Sequence, residues 1–277
     1  DEPAAIPAGD VEAYCNQLGY AGWGNNGSVR DYFRDVSDGR LDYRNRVPAA
    51  YYRAREPKTH YEDLPFPTGT WALLDEALAA LDAGGLEFDR FDGNDDGLVD
   101  AVNLLYAGHP GQAWGQGLWP HSGSHGFAVD GVSTDAYQIS HLGDRLDLDT
   151  FCHENGHLLC RWPDLYDYEF DSAGVGTFCL MSYPGPAANP VEPCGPLKLR
   201  AGWTDTRVLD GYHAGQQAPA GWNTVFLVPH PDPANEREFF LLENRQRSGR
   251  DAGLPDAGLA IWHVDWQGSN AFQERLP

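Results

Sequence analysis

Ser28 stands just before Val29, Tyr32, Phe33 and Val36, apolar positions at the three-and-four spacing of one helical face, and its hydroxyl is placed to cap the first turn. Gly39 follows, free to adopt positive φ, and predicts the end of that helix. A second helix is written in TWALLDEALAALDA, where Trp71, Leu74, Leu78 and Leu81 form a stripe that stops at Gly84 and Gly85. The run Leu98 to Gly108, LVDAVNLLYAG, is apolar on both faces and too short for a core helix, so it predicts a buried strand. Further on, TVFLVPH, EFFLLENR and GLAIWHVD read as strands of a second lobe. Glycine- and proline-rich stretches at 109–126 and 184–196 predict long loops, which in compact domains often carry function.

The order is mixed, an α+β chain with no internal repeat and no low-complexity linker. Its 277 residues suit one unit in two lobes, 1–147 holding the sheet and 148–277 the rest. A hydrophobic content of 42%, with 9 Trp, 13 Tyr and 12 Phe, argues for a packed globule and against disorder. Lys and Arg total 19 against 41 Asp and Glu, and the resulting charge of -22 repels phosphate backbones and anionic membranes. Nucleic acid is therefore excluded as a partner, and no apolar run approaches the roughly 18 residues of a membrane span. The opening DEPAAIPAGD lacks the basic and apolar pattern of a signal peptide, so an exported form is expected to have lost its leader already. Five cysteines permit two disulfides and one odd thiol, with no pairing fixed by sequence.

The strongest chemical signal lies in DTFCHENGHLLCR, residues 149–161, which contains the HExxH pattern His153-Glu154-Asn155-Gly156-His157. On a helix, residues four apart share a face, so both imidazoles can reach one metal while Glu154 lies beside them. Asp147 or Asp149 is placed to cap this helix, and Leu158 and Leu159 to seat it in the core. Neutral imidazoles ligate Zn2+ and leave a position open for water, whose proton Glu154 can accept. A second acidic cluster, DGNDDGLVD, offers oxygens from Asp92, Asn94, Asp96, Leu98 and Asp100 around Gly97, the opening grammar of a Ca2+ loop. Its twelfth position is Asn103 instead of Glu and a strand follows it, so the expectation is a calcium-loop variant, with Asp89 or Asp100 completing the shell. His109, His121, His125 and His141 lie in loops and could line the cleft, although lone histidines are usually exposed or hydrogen-bonded bystanders, and His263 and Asp265 are ambiguous.

These motifs sit among longer stretches: GSVRDYFRDVSDGRL at 27–41, FDGNDDGLVDAVNLLYAG at 91–108, HENGHLLCRWPDLYD at 153–167, CLMSY at 179–183, LKLRAGW at 197–203, and FLLENRQ followed by GLAIWHVD. Together they resemble the M6, or immune-inhibitor-A-like, family of secreted bacterial metallopeptidases, relatives of the metzincins, over nearly the whole chain. The resemblance implies a secreted zinc-dependent endopeptidase with a zincin/metzincin-like catalytic domain, a twisted mixed sheet over the HExxH helix, a third ligand C-terminal to that helix, and a methionine turn under the metal. It implies zinc ligation by His153, His157 and Asp164, Glu154 as general base, and Met181, the single methionine, as the turn residue. Asp167 is the alternative third ligand. The phenol of Tyr183, two residues after Met181, is expected as a donor to the tetrahedral oxyanion. The family pattern HExxHxxGxxD is broken here, because Cys160 stands where glycine is usual and one more residue precedes Asp164. The helix exit must then turn differently. Expected partners are protein or peptide substrates of a monomeric enzyme. The competing reading is a catalytically inactive module, stabilised by calcium or zinc, on the same fold.

Overall fold

A computed structural model describes residues 3–113, 115–169, 171–221 and 223–268. In chain order the regular elements are α1 (Ala8–Asn16), α2 (Val29–Val36), α3 (Lys58–Glu62), α4 (Thr68–Ala83), β1 (Val102–Tyr106), β2 (His121–Ser124), β3 (Ala128–Val129), β4 (Val132–Ser133), β5 (Ala136–His141), α5 (Leu148–Cys160), α6 (Gly195–Arg200), β6 (Asp205–Val208), β7 (Thr224–Pro229), β8 (Glu238–Arg245) and β9 (Gly258–Asp265). The fold is mixed α and β with several small sheets. Among the described residues no helix is long and apolar enough to cross a membrane.

The chain divides into two compact units, the first made of residues 1–15 and 45–161. Its sheet runs β1-β5-β2, with β1 parallel to β5 (Val102 opposite Tyr137) and β2 antiparallel to it (His121 opposite Ile139). The stripe on α4 does what its spacing predicts: Leu74 and Leu78 are buried with Tyr106, Tyr137 and Ile139, while Trp71 and Leu81 pack half-buried against them. The run expected as a buried strand does form β1, but at the sheet edge and mostly half-buried. The central strand is β5, AYQISH, whose polar residues hide it from a hydrophobicity reading. Gln138 and Ser140 are buried there, the Ser140 hydroxyl donating to Gln138 Oε1 at 2.6 Å. The segment expected as a loop at 109–126 also contains β2, and β3 and β4 form a small hairpin around Asp130 and Gly131.

The second unit holds residues 16–44 and 162–277. The long second segment of the first unit ends at Arg161, and α2 groups with the C-terminal part of the chain. Ser28 caps α2 as its sequence predicts: its hydroxyl accepts the Asp31 amide at 3.1 Å, while the Asp31 carboxylate accepts the Ser28 amide at 2.9 Å. The apolar face of α2 is buried, and the Tyr32 hydroxyl donates to the Val191 carbonyl at 2.8 Å. Arg250 adds a long-range tie, pairing with Asp35 at 2.8 Å and lying over the Tyr32 ring. The second sheet runs β6-β7-β8-β9, parallel at its first pair and antiparallel after it. Val225, Phe239, Leu241 and Val264 form its buried cluster.

Candidate metal centre

α5 is built to be held from one side. Leu148, Phe151, Cys152, Asn155 and Leu158 are buried, and the helix packs on β5 and β2 of its own unit. Tyr14 seats its first turn, donating its hydroxyl to the Asp147 carbonyl at 2.7 Å and meeting Phe151 edge-on. Asp147 occupies the N-cap position in an extended conformation, but its side chain makes no cap. Its carboxylate is held instead by the Arg145 guanidinium at 2.7 Å. Asp149 accepts the neighbouring Thr150 amide at 2.7 Å, and burial raises its carboxyl above the ordinary range. Neither acidic residue is thus a conventional cap, which corrects the capping expectation.

His153 and His157 lie half-buried with ring centroids 5.0 Å apart and nearly perpendicular planes. Glu154, between them in sequence, is 8% exposed. Asn155 fastens the middle of the helix: its Nδ2 donates to the Phe151 carbonyl at 2.9 Å and to Asn103 Oδ1 at 3.0 Å. Asn103, the twelfth position of the acidic loop, therefore serves α5 and not that loop.

The helix leaves through Arg161, which adopts the left-handed conformation (φ 52°, ψ 36°) and returns its amide to the His157 carbonyl at 3.0 Å. The positive φ usually given to glycine has moved to an arginine, one residue beyond Cys160. Trp162 then anchors the chain, buried at the edge of Trp203 and donating its indole N–H to the Leu197 carbonyl at 2.9 Å. Asp164 follows, half-buried, and one ligand atom from each of His153, His157 and Asp164 lies within 4.8 Å of the other two. A tetrahedral Zn2+ with bonds of about 2.0–2.1 Å holds its ligand atoms roughly 3.3–3.5 Å apart, a contraction within reach of side-chain rotation. Two imidazoles and one carboxylate also match a known catalytic zinc set. Among the described residues this is the one group of three such side chains so placed.

Asp167, the alternative third ligand, is turned to other work. It is 2% exposed and accepts the amides of Glu169 at 2.9 Å and Ser172 at 2.7 Å. A hydrogen bond shared with Asp171, and then these amides, hold its carboxyl well below the ordinary range. It organises its own loop. Gly174 closes that loop at φ 54°, where a Cβ would stand 2.4 Å from the Leu165 carbonyl oxygen. The Leu165 amide donates to the Met181 carbonyl at 2.6 Å, so the stretch bearing Asp164 is bonded to the stretch bearing Met181, which is 0% exposed.

No family model matches this chain, and no curated protein matches it either.

One residue bonded to a candidate ligand escaped the sequence reading. Tyr168 donates its hydroxyl to Asp164 Oδ2 at 2.8 Å, orienting the carboxylate from outside. Burial, and then this hydrogen bond to Asp164, push the Tyr168 phenol above its ordinary value. The signal was the four-residue spacing in DLYDY, visible but not diagnostic. Tyr183 lies two residues past Met181 and is 42% exposed. In the acidic loop, Asp92 accepts the amides of Asp96 (3.0 Å) and Gly97 (2.8 Å), Asp96 accepts that of Leu98 (2.9 Å), and Asp100 accepts that of Gly93 (3.3 Å). Burial raises the Asp100 carboxyl, the Gly93 amide opposes this, and the charges of Asp92 and Asp96 add to the rise. Such mutual repulsion is what a bound cation would relieve. Of the histidines expected in loops, His121 lies on β2 and bonds the Trp119 carbonyl and the Tyr137 hydroxyl, His125 bonds Asp75 while stacking on Trp71, and His141 lies on β5 with its buried Nδ1 lacking a hydrogen-bond partner among the described residues.

Proposed function

We propose that this chain is a secreted zinc-dependent endopeptidase of the M6 type, built on a zincin-like fold and hydrolysing peptide bonds in proteins. The observation that carries the proposal is the convergence of Asp164 on His153 and His157 of α5, the helix that also bears Glu154. His153, His157 and Asp164 would hold Zn2+, with Tyr168 fixing the orientation of the Asp164 carboxylate. Zinc bound there supplies Lewis acidity toward the scissile carbonyl and lowers the pKa of water towards 7. Glu154 is the general base: its carboxylate accepts the proton of the attacking water and then delivers it to the leaving amine. Tyr183 donates its phenolic hydrogen bond to the oxyanion that develops on the carbonyl oxygen. Met181 and the segment bonded to it form the floor. The loop of Asp92, Asn94, Asp96, Leu98 and Asp100 binds Ca2+ as a structural ion.

The test is digestion of an unbiased peptide library with and without chelator, alongside metal analysis and the Glu154→Gln variant. Wild type holds about one zinc per chain and cleaves, and Glu154→Gln keeps the zinc while losing about 10²–10⁴-fold in single-turnover rate. Zinc retention with no cleavage by wild type would favour the inactive, metal-stabilised module, and no zinc at all would end the peptidase reading.

A further inference from the structure

Two of the five cysteines meet across one turn. The Leu180 amide donates to the Glu192 carbonyl at 3.2 Å, and the Val191 amide donates to the Pro184 carbonyl at 2.8 Å. The stretches around 179–184 and 191–194 therefore run side by side in opposite directions, with Met181 between these two ties. At the open end the Cys194 amide donates to Cys179 Sγ at 3.2 Å, and the two thiols share a hydrogen bond. Both side chains are buried. Opposed residues on antiparallel stretches, in thiol contact, are neighbours of the kind a disulfide joins.

We propose that Cys179 and Cys194 are joined by a disulfide when the chain folds under oxidising conditions, a covalent clamp across the turn that carries Met181.

In the folded chain the two thiols differ. Burial raises the Cys179 thiol, but hydrogen bonds from the Cys194 thiol and amide and from the Met181 amide, with the positive charge of Arg245, more than offset it and lower it. The Arg245 guanidinium is fixed in place by Asp251 and by the Phe178 carbonyl at 3.0 Å. Cys194, buried and sharing its proton with Cys179, is pushed well up. Elsewhere, burial pushes Cys15 and Cys160 up to about 12, the pattern of inert thiols. The oxidant is a small disulfide of the glutathione class, RSSR. The Cys179 thiolate attacks one sulfur of RSSR and expels RS⁻, leaving a mixed disulfide. Cys194 then attacks the Cys179 sulfur, breaks the mixed bond and expels the second RS⁻. The two protons lost by the cysteines end on two RSH, so two thiols are oxidised and one RSSR is reduced. Because both sulfurs are buried in the folded chain, the exchange runs while this segment is still forming.

The clamp stands apart from any bound metal, and its test reads it directly. The full chain is folded in a glutathione redox buffer, its free thiols are alkylated, and it is digested without reduction for mass spectrometry. The expected result is one cross-linked peptide pair joining Cys179 to Cys194, with Cys15, Cys152 and Cys160 alkylated. Alkylation of both Cys179 and Cys194, or linkage of either to another cysteine, overturns the proposal. The wild-type chain unfolded and refolded with a phosphine reductant present throughout should melt roughly 6–12 °C below the chain refolded in the redox buffer, as for a cross-linked loop of about 15 residues. Cys194→Ser should melt at the same temperature with and without reductant. A wild-type melting temperature that ignores reductant overturns the clamp even where the variant fails to fold.

Discussion

Asn155, in the middle of α5, donates its side-chain amide to Asn103 on β1 across 3.0 Å, and Asn103 passes the link on by donating to Asn45 at 3.0 Å. A helix presenting two imidazoles to one point has to be fixed in rotation about its own axis, because 100° separates neighbouring residues on a helix of 3.6 residues per turn. Apolar packing resists that rotation weakly, whereas a directional hydrogen bond to the sheet resists it strongly.

Asn103→Ala should therefore lower stability by about 1–3 kcal/mol, the cost of leaving half-buried amide groups short of a partner. Asn103→Asp keeps the acceptor used by Asn155 and should lose less. Urea denaturation of the three proteins reads the order, and an Asn103→Ala chain as stable as wild type would show that the amide link contributes nothing.

Asp164 and Asp167 should separate cleanly. Asp164→Ala is expected to lose zinc on dialysis against a weak chelator while its metal-free melting temperature stays near that of wild type. Asp167→Ala is expected to do the reverse, since it removes the acceptor for the Glu169 and Ser172 amides and leaves the ligand carboxylate in place. Tyr168→Phe should fall between them, weakening zinc affinity by about 10- to 100-fold with little effect on folding. Zinc content by elemental analysis and thermal melts on the same samples decide the matter, and loss of zinc in Asp167→Ala alone would move the third ligand.

The pH dependence of the first unit should carry the mark of His121. Its ring is buried, and this lowers its pKa below the ordinary value of about 6.5, opposed by the bond to the Trp119 carbonyl. The unfolded chain accordingly takes up its proton first as pH falls. The stability contributed by the neutral ring is complete above pH of about 6.5 and is lost below it, down through the folded value. His121→Gln should flatten this slope between pH 7 and pH 5 in urea titrations. Parallel curves for the two proteins would remove His121 as the source.

Calcium at millimolar concentration should raise the melting temperature of wild type by mass action on the folded state. Asp96→Ala should abolish the rise. Equal melting temperatures for wild type in calcium and in chelator would mean that the Asp92 to Asp100 loop is a hydrogen-bonded turn alone, held by the amides it already accepts.

What could be read in advance followed the strength of local patterning. The caps, stripes and terminators of α2 and α4 are local events, so Ser28, Leu74 and Leu78 announced them directly. The three strands β7, β8 and β9 were legible for the same reason. β5 was not, because its Gln138 and Ser140 look solvent-facing in sequence, and only the folded sheet shows them buried and bonded to each other. The grouping of α2 with the later half of the chain was also hidden, since it depends on Arg250 and Val191 meeting residues far away in sequence. At the candidate centre the histidine pair was plain from its spacing. The separate fates of Asp164 and Asp167 depended on which backbone amides reached them first, and the positive φ at Arg161 had no residue-type signal at all.

The candidate ligands occupy one short stretch, residues 153–164, and closing so small a segment around an ion costs little chain entropy. An unfolded chain then retains some grip on the same ion, and any such grip subtracts from the extra stability the ion confers on the folded form. Metal affinity and thermal protection need not track each other here. The same locality would let a bound ion gather α5 and its exit turn early in folding, before the distant strands have found their registers.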